Sequence, residues 1–170
     1  MYSVVDISGV NSVSARIMAN AAGAIAGMAT ARVPALEAKP LVGASMFGVT
    51  TPCVTRARER LEELGYEVLV FHATGAGGQS LEALVRGGFL VGVLDATTTE
   101  LADELVGGVL SAGPNRLEAA GAAGVPQVVS LGALDMVNFG PRETVPAQFE
   151  GRNLYVHNPT ITLMRTTPEE

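Results

Sequence analysis

The residues best suited to chemistry in this sequence follow directly after short apolar runs. Asp95 comes after Leu90–Leu94, and His72 comes after Glu67–Phe71. Imidazole and carboxylate groups transfer protons in many active sites, and carboxylates also bind metal ions. Asp95, His72 and Asp135 are therefore the candidate catalytic residues, as acid–bases or as ligands of a Mg²⁺ ion.

A glycine-rich segment, Gly75-Ala76-Gly77-Gly78, lies immediately before a predicted helix. Backbone N–H groups at the start of a helix can bind an anion, which makes Gly75, Gly77 and Gly78 candidate ligand donors. The segment has neither the lysine of a Walker A loop nor the spacing of a dinucleotide-binding fingerprint. A simple tight turn is the alternative interpretation.

Further candidate donors are side chains near other predicted strand ends and helix starts. Arg116 is one of few cations near a glycine-containing loop, where it would contact an anion or form an ordinary surface ion pair. Thr98 or Thr99 would bind a ligand or merely cap a helix. The complete set of candidate ligand-binding side chains is Asn11, Thr50, Thr51, Thr97, Thr98 and Arg116.

Two other reactive residues have no assigned role. Cys53 lies in the first turn of a predicted helix, where a thiol can become nucleophilic, although a lone cysteine is more often a small core residue. His157 belongs to a polar segment, His157-Asn158-Pro159-Thr160, and is a further acid–base candidate. No combination of residues predicts a dedicated metal site.

Five short β-type runs alternate with helical segments, and this alternation must position the candidate residues. The pattern predicts a Rossmann-like, three-layer α/β fold, with a parallel sheet of about five strands and helices on both faces. The predicted strands are Tyr2–Ile7, Leu41–Phe47, Glu67–Phe71, Leu90–Leu94 and Gln127–Leu131, and the remaining tail is irregular apart from a short β candidate at Asn153–Val156.

The segments between these strands contain residues typical of helix starts and ends. Thr51 and Pro52 form a cap and first-turn proline, and Gly65 ends the helix that they open. The first predicted helix begins at Asn11 or Ser12 and ends near Met28. The second and third span Thr51–Leu64 and Ser80–Arg86, the fourth ends at Val106, and the fifth spans Arg116–Ala123.

The loops that leave the carboxyl ends of the strands are richer in polar residues than the loops at the opposite edge. Parallel strands end at one edge of their sheet, which is where ligands bind in such folds. The sequence therefore predicts one pocket at that edge. Its loops would be Ser8–Ser12, Gly48–Thr51, His72–Gly78, Asp95–Thr99 and Gly132–Gly140, with Asp135 and Asn138 on the longest of them.

Composition restricts the class of protein. The net charge is −6 and Lys39 is the only lysine, so the basic surface that a nucleic-acid-binding protein needs is missing. A single cysteine excludes an internal disulfide, and no segment resembles a signal peptide or a membrane span. We expect a cytoplasmic protein without a membrane partner, forming a single α/β domain over residues 1–170 that is a fragment of a longer two-domain protein.

Several segments in order resemble a family of bacterial and plant proteins. They are Gly48–Cys53, Phe71–Gly78, Leu94–Asp103, Gly132–Gly140 and His157–Thr167, together with Asp6–Met28. The chain is similar over nearly its whole length to the Tm-one-like ATP-binding family, an uncharacterised family that includes the tomato mosaic virus resistance protein.

The resemblance implies two α/β subdomains, ATP binding by the full-length protein and a homodimer. It supplies no catalytic residue. The leading hypothesis is a domain that binds a small anionic ligand, phosphate-bearing and in the nucleotide class, at the carboxyl edge of the sheet. The alternatives are an enzyme subdomain, a hydrolase or lyase acting on a small oxo-acid or phosphorylated metabolite, and a protein-interaction module.

Overall fold

A computed structural model describes residues 1–6, 8–34 and 37–170, which form two compact units, 1–38 and 39–170. The first unit contains helix α1 (Ser12–Thr30), which confirms the predicted helix. Asn11 caps it: its side-chain oxygen accepts hydrogen bonds from the N–H groups of Val13 (3.0 Å) and Ser14 (2.9 Å). No helix in the described part of the chain is long and apolar enough to cross a membrane.

The strand predicted at Tyr2–Ile7 is wrong for residues 2–6, which form no strand. Val4 has a φ of +68°, which is incompatible with extended backbone. Ile7 lies outside the described residues.

The second unit is built on a parallel sheet, which confirms the Rossmann-like α/β prediction with four strands in place of about five. The strand order is β2-β1-β3-β4. The strands are β1 (Leu41–Met46), β2 (Glu67–His72), β3 (Gly92–Thr97) and β4 (Gln127–Gly132).

Strand β3 extends further than its apolar run predicts. Asp95 pairs with Val129 of β4 and Thr97 pairs with Gly132, so these two polar residues are part of the strand. The prediction that placed Asp95 and Thr97 in a loop is therefore wrong, because pairing with β4 continues beyond the apolar residues.

Helices cover both faces of this sheet. On one face, Val54 of α2 (Thr51–Glu63) packs with Ala44 and Ala96. On the other face, α3 (Ala76–Arg86) and α5 (Glu118–Ala123) pack with residues of β1, β2 and β3. Neighbouring strand residues contribute to opposite clusters, as a sheet covered on both faces requires. A further helix, α4 (Thr99–Val106), follows β3 directly.

A small antiparallel sheet lies in the segment predicted to be irregular. Its order is β5-β7-β6, formed by β5 (Met136–Phe139), β6 (Leu154–Asn158) and β7 (Ile161–Arg165). Val137, Phe139 and Met164 form a buried cluster with Ala102 of α4. The predictions of a loop at Gly132–Gly140 and of an irregular tail are therefore wrong, and only β6 corresponds to the predicted β candidate.

Candidate functional site

The loops after the four parallel strands meet at one edge of the sheet, and hydrogen bonds join three of them. The Thr50 and Thr97 hydroxyl oxygens lie 2.7 Å apart, and the N–H of Thr98 donates to the carbonyl of Gly132 (3.0 Å). The predicted loop Ser8–Ser12 belongs to the unit of residues 1–38 and follows no strand of this sheet.

A cavity of about 520 Å³ opens at this edge, between the ends of β1, β2 and β4 and the antiparallel sheet. Its wall is mostly apolar, with Phe47, Met136 and Leu163 among its residues. The polar residues of the wall come from different elements: His72, Thr74, Thr99, Asp135, Asn138, His157 and Asn158. An apolar pocket with a few convergent polar groups is the usual form of a small-molecule site.

Two of the candidate catalytic residues, His72 and Asp135, lie in the wall of this cavity. Both are exposed, and the His72 ring packs at an angle against Phe47 with the ring centres 5.2 Å apart. The Asp135 carboxylate lies 3.3 Å from the guanidinium of Arg165. His157, on β6, reaches the same cavity, so two imidazoles and one carboxylate border one space.

Asn138, like Thr99, is a fully buried polar residue of the cavity wall, with 0% of its surface exposed. The sequence places it on a loop, but it lies on β5, where its backbone N–H donates to the Asp103 carboxylate (2.7 Å). Its side-chain nitrogen donates to the Thr99 hydroxyl (3.1 Å) and to Asp103 (3.2 Å). Its side-chain oxygen has no hydrogen-bond partner among the described residues.

Asp103 supports this part of the wall from behind. Burial raises the pKa of Asp103 above its ordinary value, and the backbone N–H groups of Asn138 and Leu110, which favour the ionised form, offset only part of the effect. The nearby charge of Glu100 also raises the pKa of Asp103. The sequence analysis missed Asp103, although its position one helical turn after Thr99 places the two on one face of α4.

The third candidate catalytic residue, Asp95, lies in a buried charge network. Arg116 donates to both oxygens of Asp95, to Glu100 (2.7 Å) and to Glu82 (3.3 Å). Burial alone would lower the pKa of Arg116, but hydrogen bonds and charge from Asp95 and then Glu100 raise it. Asp95 and Arg116 are thus already paired inside the protein.

Arg116 faces three carboxylates in this network, and the guanidinium of Arg86 lies 3.7 Å from one of them, Glu82. Backbone N–H groups and a hydroxyl add further donors. Glu82 accepts the N–H groups of Leu117 (2.8 Å) and Ala119 (2.9 Å) at the start of α5. Asp95 accepts the hydroxyl of Ser45 (2.7 Å). Buried charges need such partners because their desolvation is costly.

The glycine-rich turn binds a carboxylate of the protein itself. The N–H groups of Gly75 and Gly78 donate to one oxygen of Glu100, at 2.7 and 3.1 Å. Gly75 has a φ of +84°, which favours glycine, so the predicted tight turn is present. Ligand binding at Gly75, Gly77 and Gly78 stays a prediction.

Gly77 and Gly78 are also sterically required. A Cβ atom at Gly77 would overlap the carbonyl oxygen of His72, and one at Gly78 would overlap the carboxylate of Glu100. A bulky residue at Gly77 would therefore disturb the junction of β2 and α3 as well as any ligand, and it cannot serve as a pure binding test.

The remaining predicted donors have internal partners or lie apart from the cavity wall. The Thr50 hydroxyl contacts Phe47 and Thr97, and the Thr98 hydroxyl donates to the carbonyl of Ser130 (3.0 Å). Thr51 is exposed at the start of α2, as is Cys53. Asn11 is the cap of α1 in the unit of residues 1–38. Their roles in ligand binding stay predictions.

Across residues 1–6, 8–34 and 37–170, no cluster of three or more His, Cys, Asp or Glu residues has the arrangement of a metal site.

Fold and cavity together define an α/β domain with a largely apolar cavity at the carboxyl edge of its parallel sheet. Comparison with known proteins then shows the family. Residues 39–170 match the C-terminal domain of the uncharacterised protein family UPF0261, and residues 1–34 match the N-terminal domain of that family. The chain belongs to this family.

Its relatives include bacterial and plant proteins. The chain is 66% identical over 171 residues to a UPF0261 protein of Clostridium tetani and 54% identical over 170 residues to one of Rhizobium meliloti, covering 100% of this chain and 42% of each relative. It is 52% identical over 174 residues to the tomato ToMV resistance protein Tm-1(GCR237), covering 99% of this chain and 23% of that protein. The chain thus spans less than half the length of these relatives, and the resemblance found in the sequence is confirmed.

Proposed function

We propose that this domain binds a small organic anion with an apolar body in the cavity at the carboxyl edge of the sheet. The observation that carries the proposal is the composition of one wall: two histidines and buried or half-buried amide and hydroxyl groups within an apolar surface. The apolar residues would cover the body of the ligand, and the polar groups would bind and orient its charged end.

The two imidazoles support an anion over a cation. Among the described residues, His72 and His157 are the only side chains of the cavity wall that can carry positive charge. An imidazole also donates an N–H hydrogen bond in its neutral form, so it can bind a carboxylate or a phosphate in either state. The one carboxylate of the wall, Asp135, has Arg165 beside it, which reduces its repulsion of an anion.

A phosphate-bearing ligand, ATP included, is the finer form of the proposal that the family resemblance implies. The geometry supports a phosphate-bearing ligand less than a singly charged acid, because no lysine or arginine lines the cavity in the part of the chain that the structure describes. Arg116 and the N–H groups of the glycine-rich turn bind internal carboxylates. A polyphosphate would need at least one of these groups to change partners.

An experiment with two probes of equal shape tests the charge requirement. Calorimetry would compare 3-phenylpropionate with its neutral amide, and we expect the acid to bind about tenfold more tightly because charge-assisted hydrogen bonds are stronger. His72→Gln should remove most of this preference, and Tyr155→Phe, on β6 but outside the cavity wall, should preserve it. Equal affinity for acid and amide would contradict the proposal. ATP that displaces 3-phenylpropionate would favour the nucleotide form.

A second candidate function is acid–base catalysis on a small oxo-acid, which the joint presence of His72, His157 and Asp135 in one wall supports. Such a site would exchange protons on the carbon next to an oxo group. Phenylpyruvate in D₂O should then incorporate deuterium at C3 faster with the protein than without it, as measured by NMR. Asp135→Asn should abolish the acceleration, and an unchanged rate in this variant would exclude Asp135.

Self-association is a further proposal, supported by the edge strand β4. Strand β4 ends the sheet, and the side chains of Val128 and Leu131 are 64% and 78% exposed, with no charged residue in the strand. Uncharged apolar edges favour pairing with another chain. Light scattering should give a dimer that Leu131→Glu converts to a monomer. A wild-type mass equal to one chain at all concentrations would contradict this.

A further inference from the structure

The wall of the cavity at the carboxyl edge of the sheet has an exposed part and a covered part. The ionisable side chains of its described residues, His72, His157 and Asp135, are exposed. Its leucine and isoleucine side chains are half-buried, and Thr99 and Asn138 are buried. The groups that can carry charge therefore lie at the mouth of the cavity, beside solvent, and most of the apolar surface lies further inside.

The antiparallel sheet shows the same order from its edge to its centre. Strand β7 is the central strand, and its Ile161 and Leu163, two residues apart, line the cavity from one face of the sheet. Strand β6 is an edge strand, and it contributes His157 and Asn158 to the wall. Ile161 and Leu163 thus form an apolar floor, and the edge of the sheet belongs to the mouth.

An acid group placed in the interior would meet acidic surroundings. The buried Asn138 side chain donates to the Thr99 hydroxyl (3.1 Å) and to the Asp103 carboxylate (3.2 Å), which lies behind the wall. A carboxylate at this depth would lose its hydration and approach a second acidic side chain, and both changes are unfavourable. At the mouth it would keep part of its hydration and meet the two imidazoles.

Resting on the function proposed above, we infer that the ligand lies with its apolar end on the floor of Ile161 and Leu163 and with its acid group at the mouth. The apolar end is enclosed, so the cavity selects its size and shape. The acid end borders solvent, so a further group can be attached there. The ligand class is therefore carboxylic acids with an apolar body, together with their amino-acid conjugates, in which an amide joins the body to a carboxylate further out.

Calorimetry with three acids on the wild-type protein tests this orientation. Relative to 3-phenylpropionate, 3-(4-tert-butylphenyl)propionate adds apolar surface at the far end, and N-(3-phenylpropionyl)glycine adds a group at the acid end. A cavity of about 520 Å³ is in the size range that holds drug-sized molecules. We expect the tert-butyl group to strengthen binding about tenfold, because it leaves water. The glycine conjugate should bind within about threefold of 3-phenylpropionate, because its added group stays in water.

The outcomes separate the orientation from the proposed function. A glycine conjugate that binds tenfold more weakly, or a tert-butyl group that adds no affinity, would overturn the orientation. Binding of 3-phenylpropionate in the same experiment would leave the proposed function standing. If none of the three acids bound, the proposed function itself would be contradicted, and the orientation would fall with it.

Matched variants test the position of the floor. Leu163→Asn places a polar side chain of similar size on the floor and should abolish the gain from the tert-butyl group, because the new amide would lose its hydration. Val156→Thr makes a comparable change on β6, but Val156 is 52% exposed and lies outside the cavity wall, so the gain should persist. A gain that survives Leu163→Asn would overturn the inference. If that variant does not fold, the wild-type comparison of the three acids decides alone.

Discussion

Two polar regions lie near the carboxyl edge of the parallel sheet, and they differ in what satisfies them. In the network around Arg116, each charged group has a partner within the protein, including the backbone of the glycine-rich turn. In the cavity beside His72, the wall contains exposed imidazoles and includes Asn138, whose amide oxygen has no partner within residues 1–6, 8–34 and 37–170. The comparison teaches that an anion-binding motif can serve the fold, while the groups that we propose to bind a ligand lie elsewhere.

The largest expected effect comes from removing the cation of the network. Arg116→Met should lower the free energy of unfolding by about 3–5 kcal/mol, because it leaves three buried carboxylates without their shared counter-charge. Urea unfolding measures this. As a control, Arg56→Met breaks only the exposed pair with Glu59 and should cost less than about 1 kcal/mol. Equal effects would show that the network does not hold the fold.

Filling the space at the glycine-rich turn should have the next largest effect. Gly78→Ala should lower the free energy of unfolding by about 1–3 kcal/mol, because its Cβ would overlap Glu100. Gly121→Ala in α5 has no atom within 4 Å of the new Cβ, so it should stabilise the protein by about 0.4–1 kcal/mol. Urea unfolding of both variants would contradict the steric argument if their changes had the same sign.

The free energy of unfolding should depend on pH partly through Asp103, which lies behind the cavity wall. Because burial raises its pKa in the folded state, the folded protein holds the proton more tightly than the unfolded chain does. Its contribution is fully present below the ordinary value of 3.8 and is lost as pH rises through the folded pKa. We therefore compare the free energy of unfolding of the wild type with that of Asp103→Asn. The difference, wild type minus variant, should fall as the pH rises over this range. A rise would mean that folding lowers the pKa of Asp103.

The smallest expected effect on stability lies at the cavity. His72→Gln should change the free energy of unfolding by no more than about 0.5 kcal/mol, because the side chain is exposed. The same variant should lose affinity for 3-phenylpropionate. A large loss of stability at His72 would remove the distinction between the two regions.

Much of the parallel half of the fold could be predicted from local signals. Thr51 and Pro52 gave the start of α2, although the cap is Thr50 and the prediction of Thr51 as the cap is wrong. The apolar run Glu67–Phe71 gave β2 to within one residue. These signals suffice because a proline in the first turn of a helix and a short apolar strand run are both readable within a few residues.

The antiparallel sheet could not be predicted in the same way. Strand β5 has only four residues, and its partner β7 is separated from it by more than twenty positions, so the pairing depends on contacts distant in sequence. Strand β7 pairs with β6 across a two-residue turn at Pro159 and Thr160, which the sequence analysis interpreted only as a polar segment.

The site was predicted in part. The expected convergence of strand-end loops is present, and His72 and Asp135 border one cavity. The sequence could not show that Glu100 occupies the glycine-rich turn, because that contact joins residues 25 positions apart. A glutamate in the first turn of α4 was a weak signal, since acidic residues are common there for reasons of the helix dipole.

The close approach of Gly77 to the carbonyl of His72 has a consequence for how this protein can diverge. The carbonyl oxygen of His72 contacts Gly77 at the start of α3 and accepts a hydrogen bond from the N–H of Thr74 (2.8 Å). The His72 side chain takes no part in these two contacts. Replacing the side chain can therefore retune what the pocket recognises while the main chain beneath it keeps its course. Descendants of this fold could acquire new ligands at that position with little penalty to folding.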